Sequence, residues 1–238
     1  MYKYELHLHT DEVSICGHVP AAEQVRRYKA LGYAGICVTD HMHQHYFDTY
    51  GEGDWQRYID YHMNGYRIAK EEGDKLGLDV ILGTELRFPG SDRDFLIYGI
   101  DEKWLRDNEG ICRMSVTSFY EKYHNEVLVI HAHPFRYNDE VFPDAVHGIE
   151  IANGNPRHDS RNELALQLAI DNPHLLRMAG SDAHRDGDEG QAAILLEERV
   201  HHSRAFRDTL LAGAFSVWCP KHEQILRASE EDRQRNPR

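Results

Sequence analysis

Two histidines one residue apart, His7 and His9, are the first residues of the chain whose type and spacing could do chemistry. They close a short run in which Tyr4, Leu6 and Leu8 alternate with Lys3, Glu5 and His7. That is the period of two of a strand, so both imidazoles point to one side of its end. A His-x-His pair so placed suits a metal better than a core. Four further groups follow short apolar runs in the same way: Asp40-His41, Glu85, His133 and Asp182-x-His184. Each has an ordinary explanation alone, Asp40 as a helix cap, Glu85 as a partner of Arg87, His133 as part of the turn at Pro134. Jointly they do not, because carboxylates and imidazoles gathered at strand ends repel or stay unsatisfied unless cations lie between them. Mixed oxygen and nitrogen donors suit zinc, manganese or iron.

The elements that must position these groups follow from periodicity. Pro20 sits at the first turn of a helix running through Leu31, with Ala21, Ala22, Val25, Tyr28 and Leu31 at helical spacing and Gly32 ending it. Residues 34–39 read as an apolar strand that leads into Asp40-His41. A long helix is predicted over 55–76, closing near Gly77, and shorter ones over 116–124 and about 162–170. Residues 80–82, 95–98, 127–130, 149–151 and 176–179 read as strands. Alternating strands and helices predict mainly parallel pairing with helical crossovers, and such folds carry their working residues at the carboxyl ends of the strands. About seven units in 238 residues favour a closed or distorted α/β barrel over an open sheet. No repeat, linker or boundary divides the chain, so one domain over 1–238 is expected, with a polar, peripheral helix over about 223–238.

Forty acidic against 27 basic residues give a net charge of −13, which counts against a general nucleic-acid or membrane-surface binder. An acidic protein that handles phosphate must invert its field locally, and bound divalent cations do that. Cys16, Cys37, Cys112 and Cys219 form no Cys-x-x-Cys pair, so neither a zinc ribbon nor a redox motif is present. The amino terminus lacks the basic start and apolar stretch of a signal peptide, and no apolar run approaches membrane-spanning length. A soluble, cytoplasmic protein is the expectation.

His7-Leu8-His9-Thr10, Thr39-Asp40-His41, Gly83-Thr84-Glu85, Ala132-His133-Pro134 and Ser181-Asp182-Ala183-His184 resemble, in order, the motifs of the PHP (polymerase and histidinol phosphatase) superfamily. The resemblance runs from residue 5 to about 185 and implies a distorted (β/α)7 barrel with two or three divalent transition-metal ions. Position by position it implies that His7, His9, Glu85 and Asp182 bind one metal, and that Glu85 bridges to a second completed by His133 and Asp94. Many relatives have histidine where this chain has Asp94, and an oxygen donor there favours a harder cation such as manganese. A third metal would take His41 and His184 plus a histidine or aspartate from the loop after His9. Here Ser14-Ile15-Cys16-Gly17-His18 offers no clean equivalent, and Asp11 and His18 are the first to suspect.

The expected activity is hydrolysis of a small phosphomonoester by a water whose pKa the cations lower, with Glu85 central. Asp40 is expected to orient His41 or a bound water, and Arg136 to meet a phosphate oxygen. Asn153 and Asn155 either line the mouth or make a tight turn. Two alternatives stand beside this: the same centre acting on a non-phosphate bond, or a metal-binding module without activity. Specificity is expected in the loops at 43–54, 86–93, 134–147 and 185–190. The expected partner is a small phosphorylated substrate, in place of nucleic acid or membrane.

Overall fold

The computed structural model describes residues 1–137 and 139–235. In chain order it runs β1 (Tyr2–Leu8), α1 (Ala21–Ala30), β2 (Gly35–Val38), β3 (His41–Met42), α2 (Gln44–Tyr46), α3 (Trp55–Leu76), β4 (Asp79–Leu82), β5 (Thr84–Arg87), β6 (Asp94–Tyr98), α4 (Glu102–Asp107), α5 (Val116–Tyr123), β7 (Leu128–His131), β8 (Gly148–Asn153), α6 (Asn162–Asp171), β9 (Leu176–Gly180), β10 (Ala193–Leu196), α7 (Ser203–Leu211), β11 (Phe215–Trp218) and α8 (Glu223–Arg235). The strands form a mixed α/β structure of two sheets, ordered β11-β10-β1-β2-β4 and β3-β5-β6-β7-β8-β9.

Backbone hydrogen bonds tie the sheets to each other on two flanks. His9 N donates to Ala183 O (2.9 Å) and Ala183 N to His7 O (3.2 Å), joining β1 to the segment after β9. On the other flank Gly83 N donates to Val38 O (2.9 Å) and Glu85 N to Asp40 O (3.0 Å). A central apolar cluster draws on both sheets, with Tyr4, Leu6, Cys37 and Ile81 from one and Leu96, Tyr98, Ile130 and Met178 from the other. Leu8 leaves that row. The β1–β2 register shifts between Glu5 and Leu8, and Leu8 packs with Val25, Tyr28 and Val38 under α1.

Pairing is parallel for β1–β2, β2–β4, β3–β5, β7–β8 and β8–β9, but β1–β10, β10–β11, β5–β6 and β6–β7 are antiparallel, so the parallel majority is narrow. The link between β5 and β6 is too short for a crossover, so the chain turns straight back. Asp94 therefore enters the site from the start of its strand, opposite Arg87. By contrast β1, β2, β7, β8 and β9 present their carboxyl ends. Over the described residues α8 is docked: Arg177 on β9 donates to Ser229 O (2.9 Å) and to Asp232 Oδ2 (2.6 Å) in a buried contact. Residues 236–238 of the expected tail helix lie outside the described residues.

Candidate metal centre

The strand ends converge on Glu85. Its carboxylate, 1% exposed, has Oε1 3.2 Å from His7 Nε2 and 3.2 Å from His133 Nε2. Oε2 lies 2.9 Å from His41 Nδ1 and 3.3 Å from His9 Nε2. Asp182 Oδ1 is 3.4 Å from His7 Nε2, 3.5 Å from His9 Nε2 and 3.3 Å from His184 Nδ1. The turns that aim two of these residues are strained, since His133 (φ 29°) and Asp182 (φ 52°) hold a left-handed backbone without being glycine.

Hydrogen bonds on the far side of each ring settle which nitrogen faces inward. His7 Nδ1 is 3.0 Å from Glu150 Oε1, an acceptor-only carboxylate, so Nδ1 carries a proton. Ser14 Oγ gives its single proton to Asp40 Oδ1 (2.7 Å) and therefore accepts from His9 Nδ1 (3.2 Å). His184 Nδ1 donates to Asp182 O (2.9 Å). The tautomers are thus assigned from the network, and they turn Nε2 of all three rings toward the centre. His7 Nε2 and His9 Nε2 then stand 3.1 Å apart, two lone pairs facing each other unless a positive charge intervenes. Three more atoms are buried there without a hydrogen bond: His41 Nδ1, Glu85 Oε2 and Asp182 Oδ1. Such orphans cost free energy that a shared cation would recover. The donor set fits zinc, manganese or iron.

Electrostatics make the same demand. Burial works against a charged His7, but Asp182 and Glu85 hold its pKa well above the ordinary value. Burial, with His184 and His41 nearby, holds His9 well below. Burial works to raise Glu85, yet His7 and His41 keep it well below the usual carboxylate range. For Asp182, Arg136 and then His7 likewise outweigh burial. The centre is built to stabilise positive charge between its carboxylates, carried by a proton or by a metal.

The groups that the structure brings together are His7, His9 and Glu85; His7, His133 and Asp182; His41, Glu85 and Asp94; and His9, His41 and His184. The eight residues expected as ligands thus lie together, with His7, His9, Glu85 and Asp182 in mutual reach, Asp94 grouped with His41 and Glu85, and His133 near Glu85 as well as grouped with His7 and Asp182. Arg87 pairs with Asp94 (2.7 Å to each oxygen) and not with Glu85. Asp40 does not orient His41. Its oxygens are taken by Thr10 N (2.7 Å), Thr10 Oγ1 (2.7 Å) and Ser14 Oγ, so it acts on His9 through Ser14. Gly65 on α3 makes room for this, because a Cβ there would lie 2.7 Å from Asp40 Oδ2 and closer still to Thr10. Arg136 lines the cavity above the centre and donates to Asp182 Oδ2 (2.6 Å) and Asn153 Oδ1 (2.8 Å). Asn155 donates to Asp182 O (2.8 Å).

Glu150 and Ser14 were not singled out by sequence. Glu150, fully buried, accepts from His7, His133 N (2.9 Å) and Asn153 Nδ2 (3.0 Å). Its only sequence signal was a carboxylate inside an otherwise apolar strand. Above the centre opens a cavity of about 530 Å³ lined by Cys16, His18, His43, Arg87, Arg157, His158 and Arg185 among others. That basic rim faces outward from an acidic protein. Burial pushes His43 down to about 4, so it is neutral at pH 7.

The sequence matches the PHP domain family over residues 5–169. Among curated proteins, none matches the chain. Several solved structures share the fold, three of which follow. A two-domain protein of Bacteroides vulgatus, named for a PHP-like metal-dependent phosphoesterase, has a TM-score of 0.66 at 18% identity, over 97% of this chain and 69% of its own. A Bifidobacterium adolescentis protein named for metal-dependent phosphoesterase activity has a TM-score of 0.51 at 17% identity, over 87% of this chain and 95% of its own. An amidohydrolase of Chromobacterium violaceum, with bound sulfate and no metal, has a TM-score of 0.55 at 16% identity, over 93% of this chain and 99% of its own.

Proposed function

The chain belongs to the PHP domain family, and from that premise we propose that it is a metal-dependent hydrolase of a small phosphomonoester. The observation that carries the reading is the set of buried atoms of His41, Glu85 and Asp182 that crowd one another without making a hydrogen bond, beneath a basic-rimmed cavity. His7, His9, His41, Glu85, Asp94, His133, Asp182 and His184 would hold two to three divalent ions, zinc, manganese or iron. Such ions supply the charge that binds phosphate oxygens and lowers the pKa of an attacking water. Glu85, which belongs to two of the donor groups, would be the carboxylate they hold in common. Glu150 and the Asp40–Ser14 pair fix the rings of His7 and His9, while Arg136 turns Asp182. Arg185 on the rim, with Arg136 beside Asp182, would meet the incoming anion.

The reading includes two sheets closed into a distorted (β/α)7-type barrel, one domain over the whole chain and a cytoplasmic setting, with which free cysteines agree. No helix among the described residues is long and apolar enough to cross a membrane. Hydrolysis of an amide or related bond is the second reading, favoured by the likeness to the amidohydrolase. Metal analysis with a phosphate-release screen over phosphomonoesters, run beside an amide panel, separates the two. Release of phosphate that depends on added manganese, zinc or iron is expected. Less than one ion bound per chain at saturation would sink both readings and leave a module without this chemistry.

A further inference from the structure

Resting on the phosphomonoester reading, we propose that Arg185 recognises a second anionic group on the substrate, a carboxylate or a phosphate carried by the leaving group. Four arginines line the cavity above the centre: Arg87, Arg136, Arg157 and Arg185. Three of them have carboxylate partners. Arg87 holds both oxygens of Asp94 (2.7 Å each), Arg136 holds Asp182 Oδ2 (2.6 Å), and Arg157 is paired with the buried carboxylate of Asp188. The guanidinium of Arg185 has no hydrogen bond or ion pair among the described residues; only its backbone N–H is engaged.

The turn itself produces that isolation. Three carboxylates follow Arg185 closely in the chain, Asp186, Asp188 and Glu189, and any of them could have neutralised it. Each is engaged elsewhere. Asp188 Oδ2 accepts from His184 N (2.9 Å) and Arg185 N (2.7 Å), which closes the turn, while its Oδ1 meets Arg157. Asp186 Oδ1 is 2.6 Å from Arg27 on α1, and the same guanidinium nitrogen is 3.7 Å from Glu189 Oε1. Glu189 Oε2 accepts from Gly187 N (2.8 Å). The turn thus gives His184 to the donor groups and leaves the next residue as an exposed cation on the cavity wall. A free guanidinium is a bidentate partner for a carboxylate or a phosphate.

The lining also disfavours the opposite charge. Its three carboxylates, Glu85, Asp94 and Asp182, all belong to the donor groups, so none is left to meet an ammonium on the leaving group. The imidazoles of His18 and His158 line the cavity without joining those groups. At about 530 Å³ the cavity is the size of a ligand pocket and has room for more than the phosphate.

Calorimetric titration of non-hydrolysable phosphonates into manganese-loaded, full-length protein tests the assignment without turnover. The probes are propylphosphonate, phosphonopropionate, propane bisphosphonate and aminopropylphosphonate, which share a phosphonate on a short chain and differ at its far end. Wild type is expected to bind phosphonopropionate or propane bisphosphonate roughly fivefold or more tightly than propylphosphonate, with aminopropylphosphonate the weakest. The tighter of the two doubly anionic probes identifies the second group. R185A should level both with propylphosphonate, and R185E should bind aminopropylphosphonate in preference to them. Equal affinity of wild type for propylphosphonate and both doubly anionic probes, or a preference kept in R185A, overturns the role of Arg185 while the metal centre stands. If no phosphonate binds the manganese-loaded protein, the phosphomonoester reading itself falls.

Discussion

Glu85 is within 3.3 Å of four imidazole nitrogens, and no other carboxylate among the described residues is so placed. Glu85→Gln keeps the shape and removes the charge, so the ions lose their common anchor. Turnover should fall roughly a thousandfold or more, with circular dichroism unchanged. An active variant would put the chemistry elsewhere. Glu150 acts one bond further out, and Glu150→Gln should weaken metal binding by roughly 10- to 100-fold. Calorimetry on stripped protein measures that loss, and an unchanged affinity would reduce Glu150 to packing. The same titration carries a third prediction. His7 has its pKa raised, so metal must displace a proton, and the apparent enthalpy should vary with the ionisation heat of the buffer above pH 6.5 as well as below it. An enthalpy independent of buffer would contradict it. The residues that read clearly in the sequence are those at strand ends, since type and position coincide there. Glu150 and Ser14 did not stand out, because what they do is set by contacts across the fold, from β8 to β1 and from Asp40 to His9.

Elements set how those contacts arise. The long helix α3 was legible because its caps and period are local, whereas α2, α4 and α7 were not read: Asp54 accepts from Gln56 N (2.8 Å) and Arg57 N (3.2 Å), and Gly77 ends α3 at φ 66°. Strand direction was not. An apolar run such as 95–98 has the same pattern parallel or antiparallel, and the direction of β6 is decided by the short link before it. Nor does polarity reveal docking. α8 is polar over most of its surface, yet Leu226, Ser229 and Asp232 are buried and Arg177, 3% exposed at its side chain, ties it to β9. Removing the guanidinium leaves a buried carboxylate and carbonyl without that partner. Arg177→Ala should therefore cost about 3 kcal/mol in urea unfolding. A loss under about 0.5 kcal/mol would show that α8 is held by its apolar contacts alone.

At the scale of the whole molecule two charge effects compete as pH falls. An acidic chain of net charge −13 repels itself at neutral pH, so protonating surface carboxylates should at first relieve strain, an effect that salt screens. Buried histidines work the other way. His62 on α3 is 2% exposed, and burial, with His41 a lesser cause, holds its pKa at about 4. His147 is held at about 4 mainly by burial, with Nδ1 accepting from Val129 N (3.0 Å) and Nε2 donating to His124 O (3.1 Å). A proton on Nδ1 would set two donors against each other. Because both pKa values are lowered in the folded state, the unfolded chain takes up protons first. The neutral rings therefore favour the fold fully above about pH 6.5, and that advantage is lost as pH falls through about 4. His62 alone accounts for on the order of 3 kcal/mol across this window. The test compares wild type with His62→Phe by urea unfolding at fixed salt, with metal chelated so that loss of ligands plays no part. The global charge term is common to both and cancels in the difference. Wild type should lose more stability than the variant between pH 7 and 4, and parallel pH profiles would show that His62 is not the acid-sensitive group.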